Sequence, residues 1–130
     1  MLEMMVRRSV HVIDDDEAVR DSMRALLESM GIEVRDYASA RDFLLRLNER
    51  PMGCVLLDLH MPGMTGLEFL DFLRARGLRI PVVAISGRID DALKERVLRA
   101  GALALLEKPV GETMLMNELD RAFFDEANGI

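Results

Sequence analysis

Two hydrophobic periods alternate along this chain, and that alternation constrains its fold more than any other feature. Short apolar runs recur five times, and each is followed by a segment with apolar residues at helical spacing. The runs cover residues 10–13, 32–37, 54–57, 81–85 and 103–106, the second being weaker and alternating. Continuous runs of this length are typical of strands covered on both faces, as in a parallel sheet. The sequence therefore predicts a single (βα)5 domain of the α/β class.

Start and stop signals mark the helical segments between these runs. Asp16 stands where a first helix would be capped, and the second helix is predicted over residues 39–47. Thr65-Gly-Leu-Glu68 has the form of a capping box, and Gly31 and Gly101 follow the first and fourth segments as C-terminal caps. We expect an N-terminal extension over residues 1–8, the domain over residues 9–127 and a short tail over residues 128–130.

Composition limits the kinds of protein that this chain can be. Half of its 130 residues are apolar and 31% are charged, the profile of a globular domain. A net charge of −6 without a Lys/Arg cluster argues against direct nucleic-acid binding. The single cysteine, Cys54, cannot form an internal disulfide, and no apolar run approaches the ~20 residues of a membrane helix. Because the N-terminal charges do not match a signal peptide, we interpret the chain as a cytoplasmic domain without membrane contact.

Polar residues follow four of the five predicted strands. Parallel strands joined by right-handed crossovers end along one edge of the sheet, so the residues after them converge there. In a sheet of order 2-1-3-4-5 the first and third strands are neighbours, and their acidic residues face each other. The converging residues are Asp14, Asp15 and Asp16 after the first strand, Asp58 after the third, Ser86 after the fourth and Lys108 after the fifth.

The acidic residues at this edge favour a bound cation. Two carboxylates ~5 Å apart repel each other by about 3 kcal/mol at an effective dielectric constant of 20. Oxygen ligands with few neighbours suit Mg²⁺, which keeps several waters and readily bridges a phosphate. The alternative is that Asp16 caps a helix and the other carboxylates are solvated. We expect the cap at Asp16 and the metal at Asp14 and Asp15.

Asp58 ends an apolar run, where an ionised side chain is out of place unless it has a function. A carboxylate can attack a phosphoryl group as a nucleophile, and Mg²⁺ can neutralise the phosphoryl oxygens. Lys108 would add a second positive charge and Ser86 a hydrogen bond. Taken singly, a lysine is usually solvated and a serine after a strand is usually a turn residue. Their joint placement after four strands favours a phosphoryl-transfer site.

Four motifs together resemble the receiver domain of two-component response regulators, over roughly residues 9–125. The resemblance implies a flavodoxin-like sheet of order 2-1-3-4-5. It also implies a signalling domain rather than an enzyme, phosphorylated by a sensor histidine kinase or a phosphotransfer protein. The motifs are Val-Ile-Asp-Asp-Asp-Glu at 12–17, Leu-Asp-Leu-His-Met-Pro-Gly at 57–63, Ala-Ile-Ser-Gly at 84–87 and Glu-Lys-Pro at 107–109.

The same resemblance implies a role for each site residue. Asp58 would be the phosphoacceptor, beside the acidic pair Asp14 and Asp15, of which Asp15 is the more direct Mg²⁺ ligand. The backbone carbonyl of His60 would be a further ligand, and we rank this role above chemistry by the His60 ring. The residues that match the hydroxyl and the lysine of the family are Ser86 and Lys108, and the peptide that links Lys108 to Pro109 is expected to be cis.

One position departs from the family pattern. Receivers usually carry Tyr or Phe three residues before the lysine, and this chain has Leu105. A smaller side chain without a polar edge predicts a weaker switch, with Leu105 staying packed against helix 4. Arg88 lies two residues after Ser86, where it can modulate the phosphate site. The face formed by helix 4, strand 5 and helix 5 is expected to carry the output and a possible homodimer.

Two alternatives from other functional classes share parts of this pattern. A phosphohydrolase of the haloacid dehalogenase type also forms an aspartyl-phosphate, and its Asp-x-Asp motif is matched formally by Asp14 and Asp16. The sequence lacks the cap domain and the late acidic motif of those enzymes. A flavin-binding electron carrier would need a phosphate-binding loop and flanking aromatics, which are also lacking. For a receiver, we expect either a stand-alone domain or the N-terminal part of a longer transcription factor.

Overall fold

Five strands and five helices alternate along the chain, which confirms the predicted (βα)5 architecture. The computed structural model describes residues 8–47 and 53–127, with side chains through residue 124. Of the predicted extension only Arg8 is described, and the predicted tail lies outside the described residues. The elements are β1 (Ser9–Ile13), α1 (Glu17–Ser29), β2 (Glu33–Tyr37), α2 (Ala40–Leu45), β3 (Cys54–Asp58), α3 (Gly66–Ala75), β4 (Val82–Ser86), α4 (Asp91–Arg99), β5 (Ala104–Glu107) and α5 (Glu112–Ala127).

All five strands form one parallel sheet in the order β2-β1-β3-β4-β5, as expected for a flavodoxin-like fold. In the register of the central pair, Ile13 of β1 lies opposite Leu57 of β3. Asp14 and Asp58, which follow these two residues, therefore leave neighbouring strands at the same edge. On the other side of β3, Asp58 pairs with Ile85 of β4. The sheet thus places the predicted acidic residues side by side.

Alternate strand residues enter two apolar layers, one on each face of the sheet. Phe43 of α2, Phe69 of α3 and Val97 of α4 belong to the first layer. Leu27 of α1 and Leu119 of α5 belong to the second layer. Each is 1% exposed or less, and burying one large apolar side chain contributes about 1.5–3 kcal/mol. Because helices cover both faces, the strands read as continuous apolar runs in the sequence.

Several element boundaries differ by one or two residues from the sequence prediction. β4 begins at Val82 and β5 at Ala104, each one residue later than its apolar run. α2 ends at Leu45, with Arg46 as its C-cap, rather than at residue 47. Apolar runs report burial, whereas strand ends are set by the hydrogen bonds of the ladder. The Lys108 N–H, for example, donates to the Ser86 carbonyl at 2.8 Å, just beyond the end of β5.

The predicted helix caps are present. The Asp16 side chain accepts the N–H groups of Ala18 and Val19 at the start of α1. Thr65 and Glu68 form the capping box of α3, and the Thr65 N–H lowers the pKa of the Glu68 carboxyl below its ordinary value. Gly31, which follows α1, has a φ of 79°, a left-handed conformation that favours glycine. Within the described residues, no helix combines the length and apolar character required to cross a bilayer.

The capping box at the start of α3 predicts that truncation of the Thr65 side chain destabilises the fold. Thr65→Ala removes the side-chain oxygen that accepts the Glu68 N–H at 3.2 Å. The free energy of unfolding should fall by about 1 kcal/mol in a urea titration. Thr113→Ala is a matched control, because Thr113 is exposed in the first turn of α5. A loss from Thr113→Ala as large as that from Thr65→Ala would contradict the assignment.

Candidate functional site

Asp58 is a buried carboxylate at the last position of β3. It is 6% exposed, and its Oδ1 accepts the backbone N–H of His60 at 3.0 Å. The intervening residue, Leu59, donates its N–H to the Ile85 carbonyl at 3.0 Å, so the loop stays attached to β4. These two bonds fix the orientation of the Asp58 side chain at the edge of the sheet.

Asp14 and Asp15 complete an acidic cluster with Asp58. Asp14 is 5% exposed and its Oδ1 accepts the Asp16 N–H at 2.9 Å, whereas Asp15 is exposed. One carboxylate oxygen from each of Asp14, Asp15 and Asp58 lies within 4.8 Å of the others. Asp16 has its side chain in the cap of α1 instead. The structure therefore brings together three of the four predicted acidic residues.

Lys108 extends over this cluster from the loop after β5. Its Nζ lies 3.6 Å from Asp58 Oδ2 and 3.7 Å from Asp14 Oδ2. The Lys108–Pro109 peptide is cis, as the resemblance implies. One ammonium group is thus shared between two buried carboxylates. If all three carboxylates are ionised, negative charge remains in excess at this edge of the sheet.

The charge state of Asp14 reflects this environment. Burial is the largest influence and raises the pKa of the Asp14 carboxyl, and the charges of Asp58 and Asp15 raise it further. The Asp16 N–H and the Lys108 ammonium act in the opposite direction but do not cancel the rise. The folded state therefore disfavours the ionised form of Asp14. A cation that neutralises the cluster would relieve this cost.

The donor set of the cluster fits Mg²⁺. It consists of carboxylate oxygens, which are the hard ligands that this ion prefers. Two ligands of one Mg²⁺ lie at most about 4.2 Å apart, so the oxygens, which are within 4.8 Å of each other, need only small side-chain shifts. The His60 carbonyl, next to Asp58 in the same loop, remains a predicted additional ligand.

Ser86 is completely buried at the end of β4, and its hydroxyl has three polar contacts. Its Oγ donates to the Arg88 carbonyl at 2.9 Å and accepts the Arg88 N–H at 3.3 Å. The third contact is His60 Nε2 at 3.0 Å. The sequence favours a role for the His60 carbonyl over one for its ring, but the ring contacts a predicted site residue. The contact between the His60 ring and Ser86 depends on two loops that only the folded sheet brings together.

Arg88 and Leu105 flank the site without entering the acidic cluster. The Arg88 side chain is exposed, and its guanidinium forms no ion pair with any residue in the described ranges. Leu105 is 9% exposed and belongs to the same buried cluster as Val97 of α4 and Ala100, the C-cap of that helix. The expectation that the leucine stays packed against α4 when the domain switches remains a prediction.

Three residues that support the site were missed by the sequence analysis. The Arg20 guanidinium donates to the Asp14 carbonyl at 2.6 Å, and Glu107 Oε1 accepts the Ile89 N–H at 3.0 Å. A Cβ on Gly66 would lie 2.7 Å from Leu59 Cα, so only glycine lets α3 start so close to the acceptor loop. In the sequence Gly66 stands out only as part of the capping box. No sequence signal reports these contacts, because each joins two separate elements.

An apolar cavity of about 590 Å³ opens beside the acidic cluster. Its walls come mainly from α1, from the strands below it and from the loop after β5. Val19, Met23 and Leu26 of α1 line it together with Val110, and Asp58 also belongs to its lining. An apolar surface therefore lies beside the acidic cluster.

Comparisons with known proteins agree with this geometry. Residues 10–120 match the family model of the response regulator receiver domain. The transcriptional regulatory protein FixJ of Azorhizobium caulinodans is 42% identical over 107 residues, which cover 82% of this chain and 51% of FixJ. The C4-dicarboxylate transport transcriptional regulatory protein DctR of Rhodobacter capsulatus is 39% identical over 111 residues, which cover 84% of this chain and 56% of DctR. The chain spans about half the length of the curated relatives it matches.

Solved structures show the same fold. The crystal structure of FixJ-N superposes with a TM-score of 0.83 at 34% identity, and covers 91% of this chain and 94% of that chain. The response regulator StyR superposes with a TM-score of 0.86 at 36% identity, and covers 95% of this chain and 62% of its own. At these identities the likeness includes sequence as well as backbone geometry.

The raised pKa of Asp14 predicts a stability gain on neutralisation. Asp14→Asn keeps an oxygen that can accept the Asp16 N–H but carries no charge, so the melting temperature in EDTA at neutral pH should rise by a few degrees. Because the pKa of Asp14 is higher in the folded state than in the unfolded state, the protonated carboxyl favours folding. This contribution is fully present below the ordinary pKa of Asp and is lost as the pH rises through the pKa of the folded state. The rise in melting temperature of Asp14→Asn over the wild type should therefore be present above the pKa of Asp14 in the folded state. It should vanish below the ordinary pKa of Asp.

Thermal melts of wild type, Asp14→Asn and Asp15→Asn across this pH range check the expectation. Asp15 is exposed and serves as the matched control, with a smaller change than Asp14. If Asp14→Asn melts at or below the wild-type temperature at neutral pH in EDTA, the buried charge is not destabilising.

Proposed function

Because this chain belongs to the response regulator receiver family, we propose that Asp58 is its phosphoacceptor and that phosphorylation switches the surface it offers to partners. The chain is thus a phosphoacceptor signalling domain of a two-component system. The observation that carries the residue assignment is the buried Asp58 carboxylate, with Asp14, Asp15 and Lys108 around it. The phosphohydrolase alternative is not favoured, since the second carboxylate of its motif, Asp16, is engaged in the cap of α1.

In the proposed transfer, a carboxylate oxygen of Asp58 forms a bond to phosphorus while the bond to the donor breaks. With a phosphohistidine donor, the P–N bond breaks and the imidazole nitrogen keeps the electron pair. The product is an acyl phosphate on Asp58. The His60 N–H holds the carboxylate in one orientation during the attack, because it donates to Oδ1 at 3.0 Å.

Mg²⁺ is proposed as the cofactor, held by Asp14, Asp15, Asp58 and the His60 carbonyl. When bound, it would supply positive charge that offsets the phosphoryl oxygens. Lys108 already lies within 3.7 Å of two carboxylates, so its ammonium can move to a phosphoryl oxygen with little displacement. Ser86, at the end of the neighbouring strand, is proposed to donate its hydroxyl to another phosphoryl oxygen.

A sensor histidine kinase or a phosphotransfer protein is the partner that the family implies. We propose that it contacts α1 and the loop after β5, where the apolar cavity opens at Asp58. The output is assigned to the face formed by α4, β5 and α5, which is also the proposed surface for a homodimer. Leu105 lies beneath that face, and its smaller side chain should give a weaker switch than an aromatic residue.

The role of the domain in its whole protein is a further proposal. FixJ and DctR are named transcriptional regulatory proteins, and this chain spans about half of each. We propose that the receiver covers residues 9–127, acts in the cytoplasm and controls transcription through protein contacts. A net charge of −6 argues against direct contact of this chain with DNA. Its proposed catalysis is limited to its own phosphorylation and dephosphorylation, with Arg88 as a modulator of these rates.

Incubation with acetyl phosphate and Mg²⁺ should add one phosphoryl group, because this donor needs no protein surface. Intact-mass spectrometry should detect the added group in the wild type, and it should be absent from Asp58→Ala and from samples with EDTA. Asp71→Ala is the matched control, since Asp71 is exposed on the outer side of α3. Undiminished labelling of Asp58→Ala would disprove the assignment.

Lys108 should matter more for the response than for the transfer. Lys108→Ala should still be phosphorylated, no more than about tenfold more slowly, because Mg²⁺ would carry most of the charge neutralisation. Its amide chemical shifts in β5 and in the loop after β4 should change little on phosphorylation. Lys94→Ala, at an exposed position on α4, should respond as the wild type does. Wild-type shifts in phosphorylated Lys108→Ala would show that another group transmits the signal.

A further inference from the structure

The imidazole of His60 contacts a buried hydroxyl that the proposed function requires to move. His60 lies in the loop after β3, and its Nε2 is 3.0 Å from the Oγ of Ser86. Ser86 is fully buried whereas His60 is exposed. The bond joins the loop that carries the acceptor to the loop after β4. The proposed function uses the backbone of His60 and gives its ring no task.

The number of protons on the hydroxyl determines the direction of the bond. Ser86 has one hydroxyl proton and donates it to the Arg88 carbonyl at 2.9 Å. The same oxygen accepts the Arg88 N–H at 3.3 Å. With the hydroxyl proton directed to Arg88, we assign the donor role in the remaining bond to His60 Nε2, which corresponds to the tautomer protonated on Nε2. The hydroxyl is therefore held by one donated and two accepted hydrogen bonds.

We propose that His60 is a positioning residue whose ring holds Ser86 in the arrangement of the unphosphorylated domain. This inference rests on the proposed function, in which Ser86 donates to a phosphoryl oxygen on Asp58. An ionised phosphoryl oxygen only accepts hydrogen bonds, so Ser86 must withdraw its proton from the Arg88 carbonyl. In this scheme the Ser86 side chain rotates about its Cα–Cβ bond to reach the phosphoryl oxygen, so that Oγ moves away and the His60 N–H loses its acceptor. His60 thus biases the domain towards the unswitched state.

The ring and the backbone of His60 have separate roles in this scheme. The carbonyl is a proposed Mg²⁺ ligand, and the N–H holds Asp58. A side-chain substitution leaves both backbone groups in place, so it tests the ring alone. Loss of one hydrogen bond of this kind changes the ratio of two states by about two- to tenfold.

The test measures the affinity for beryllofluoride, an analogue of the phosphoryl group, in the presence of Mg²⁺. His60→Ala should bind it about two- to tenfold more tightly than the wild type, because no bond to Ser86 has to break. His60→Gln is the conservative variant, since its amide N–H can replace the Nε2 donor, and it should restore the wild-type affinity. His60 is exposed, and circular dichroism checks that both variants are folded.

A Ser86→Ala background separates this bond from other effects of the ring. There His60→Ala should not alter the affinity for beryllofluoride, because the acceptor is already missing. The inference is overturned if the effect persists in that background, if His60→Gln behaves like His60→Ala, or if His60→Ala binds no more tightly than the wild type. Failure of the proposed function has another signature, in which the wild type itself shows no Mg²⁺-dependent binding of beryllofluoride.

A spectroscopic readout does not depend on ligand affinity. The ¹⁵N chemical shifts of the His60 ring, at a pH where the ring is neutral, report which nitrogen carries the proton. We expect the proton on Nε2 in the free wild type and a shifted Nε2 resonance in Ser86→Ala. His60→Ala identifies the signal, because the chain contains only two histidines. A neutral ring protonated on Nδ1 would contradict the proposed bond.

Discussion

The parallel pairing of β1 with β3 determines where the chemical groups of this domain lie. Ile13 of β1 lies opposite Leu57 of β3, so the residues that follow them, Asp14 and Asp58, lie together at the carboxyl edge of the sheet. The sheet continues through β4 and β5, which bring Ser86 and Lys108 to the same edge. Apolar layers on both faces hold these strands rigidly, and the site inherits that rigidity. Asp14, Asp58, Ser86 and Lys108 are therefore partly or fully buried by the fold itself, whereas Asp15 and His60 are exposed.

Burial and chemistry are linked at this edge. Asp14 and Asp58 are each more than nine-tenths buried, and the ammonium of Lys108 is shared between them. Burial, together with the charges of Asp58 and Asp15, raises the pKa of Asp14, and the excess of negative charge favours a bound cation. A site with its charges already matched would be more stable but would attract neither a divalent metal nor, through it, a phosphoryl group. The cost in stability and the affinity have a common electrostatic origin.

Small energies decide the balance between the two states of such a domain. Leu105 is already buried beside α4, so little apolar surface changes its exposure when the domain switches. At ~25 cal/mol/Å², a difference of about 40 Å² amounts to only ~1 kcal/mol. One hydrogen bond between His60 and Ser86 has a comparable net value. In the proposed switch, hydrogen bonds between the loops are therefore as important as apolar packing for the position of the equilibrium.

The sequence by itself determined the class, number and order of the elements, because hydrophobic periods and helix caps are local signals. It also indicated Asp58 and Lys108, since parallel topology makes strand ends converge whatever their separation in the chain. Only the tertiary structure decided that Asp14 is buried while Asp15 is exposed, and that the His60 ring reaches Ser86. These facts depend on side-chain rotamers and on distances between loops, and neither leaves a period or a spacing in the sequence.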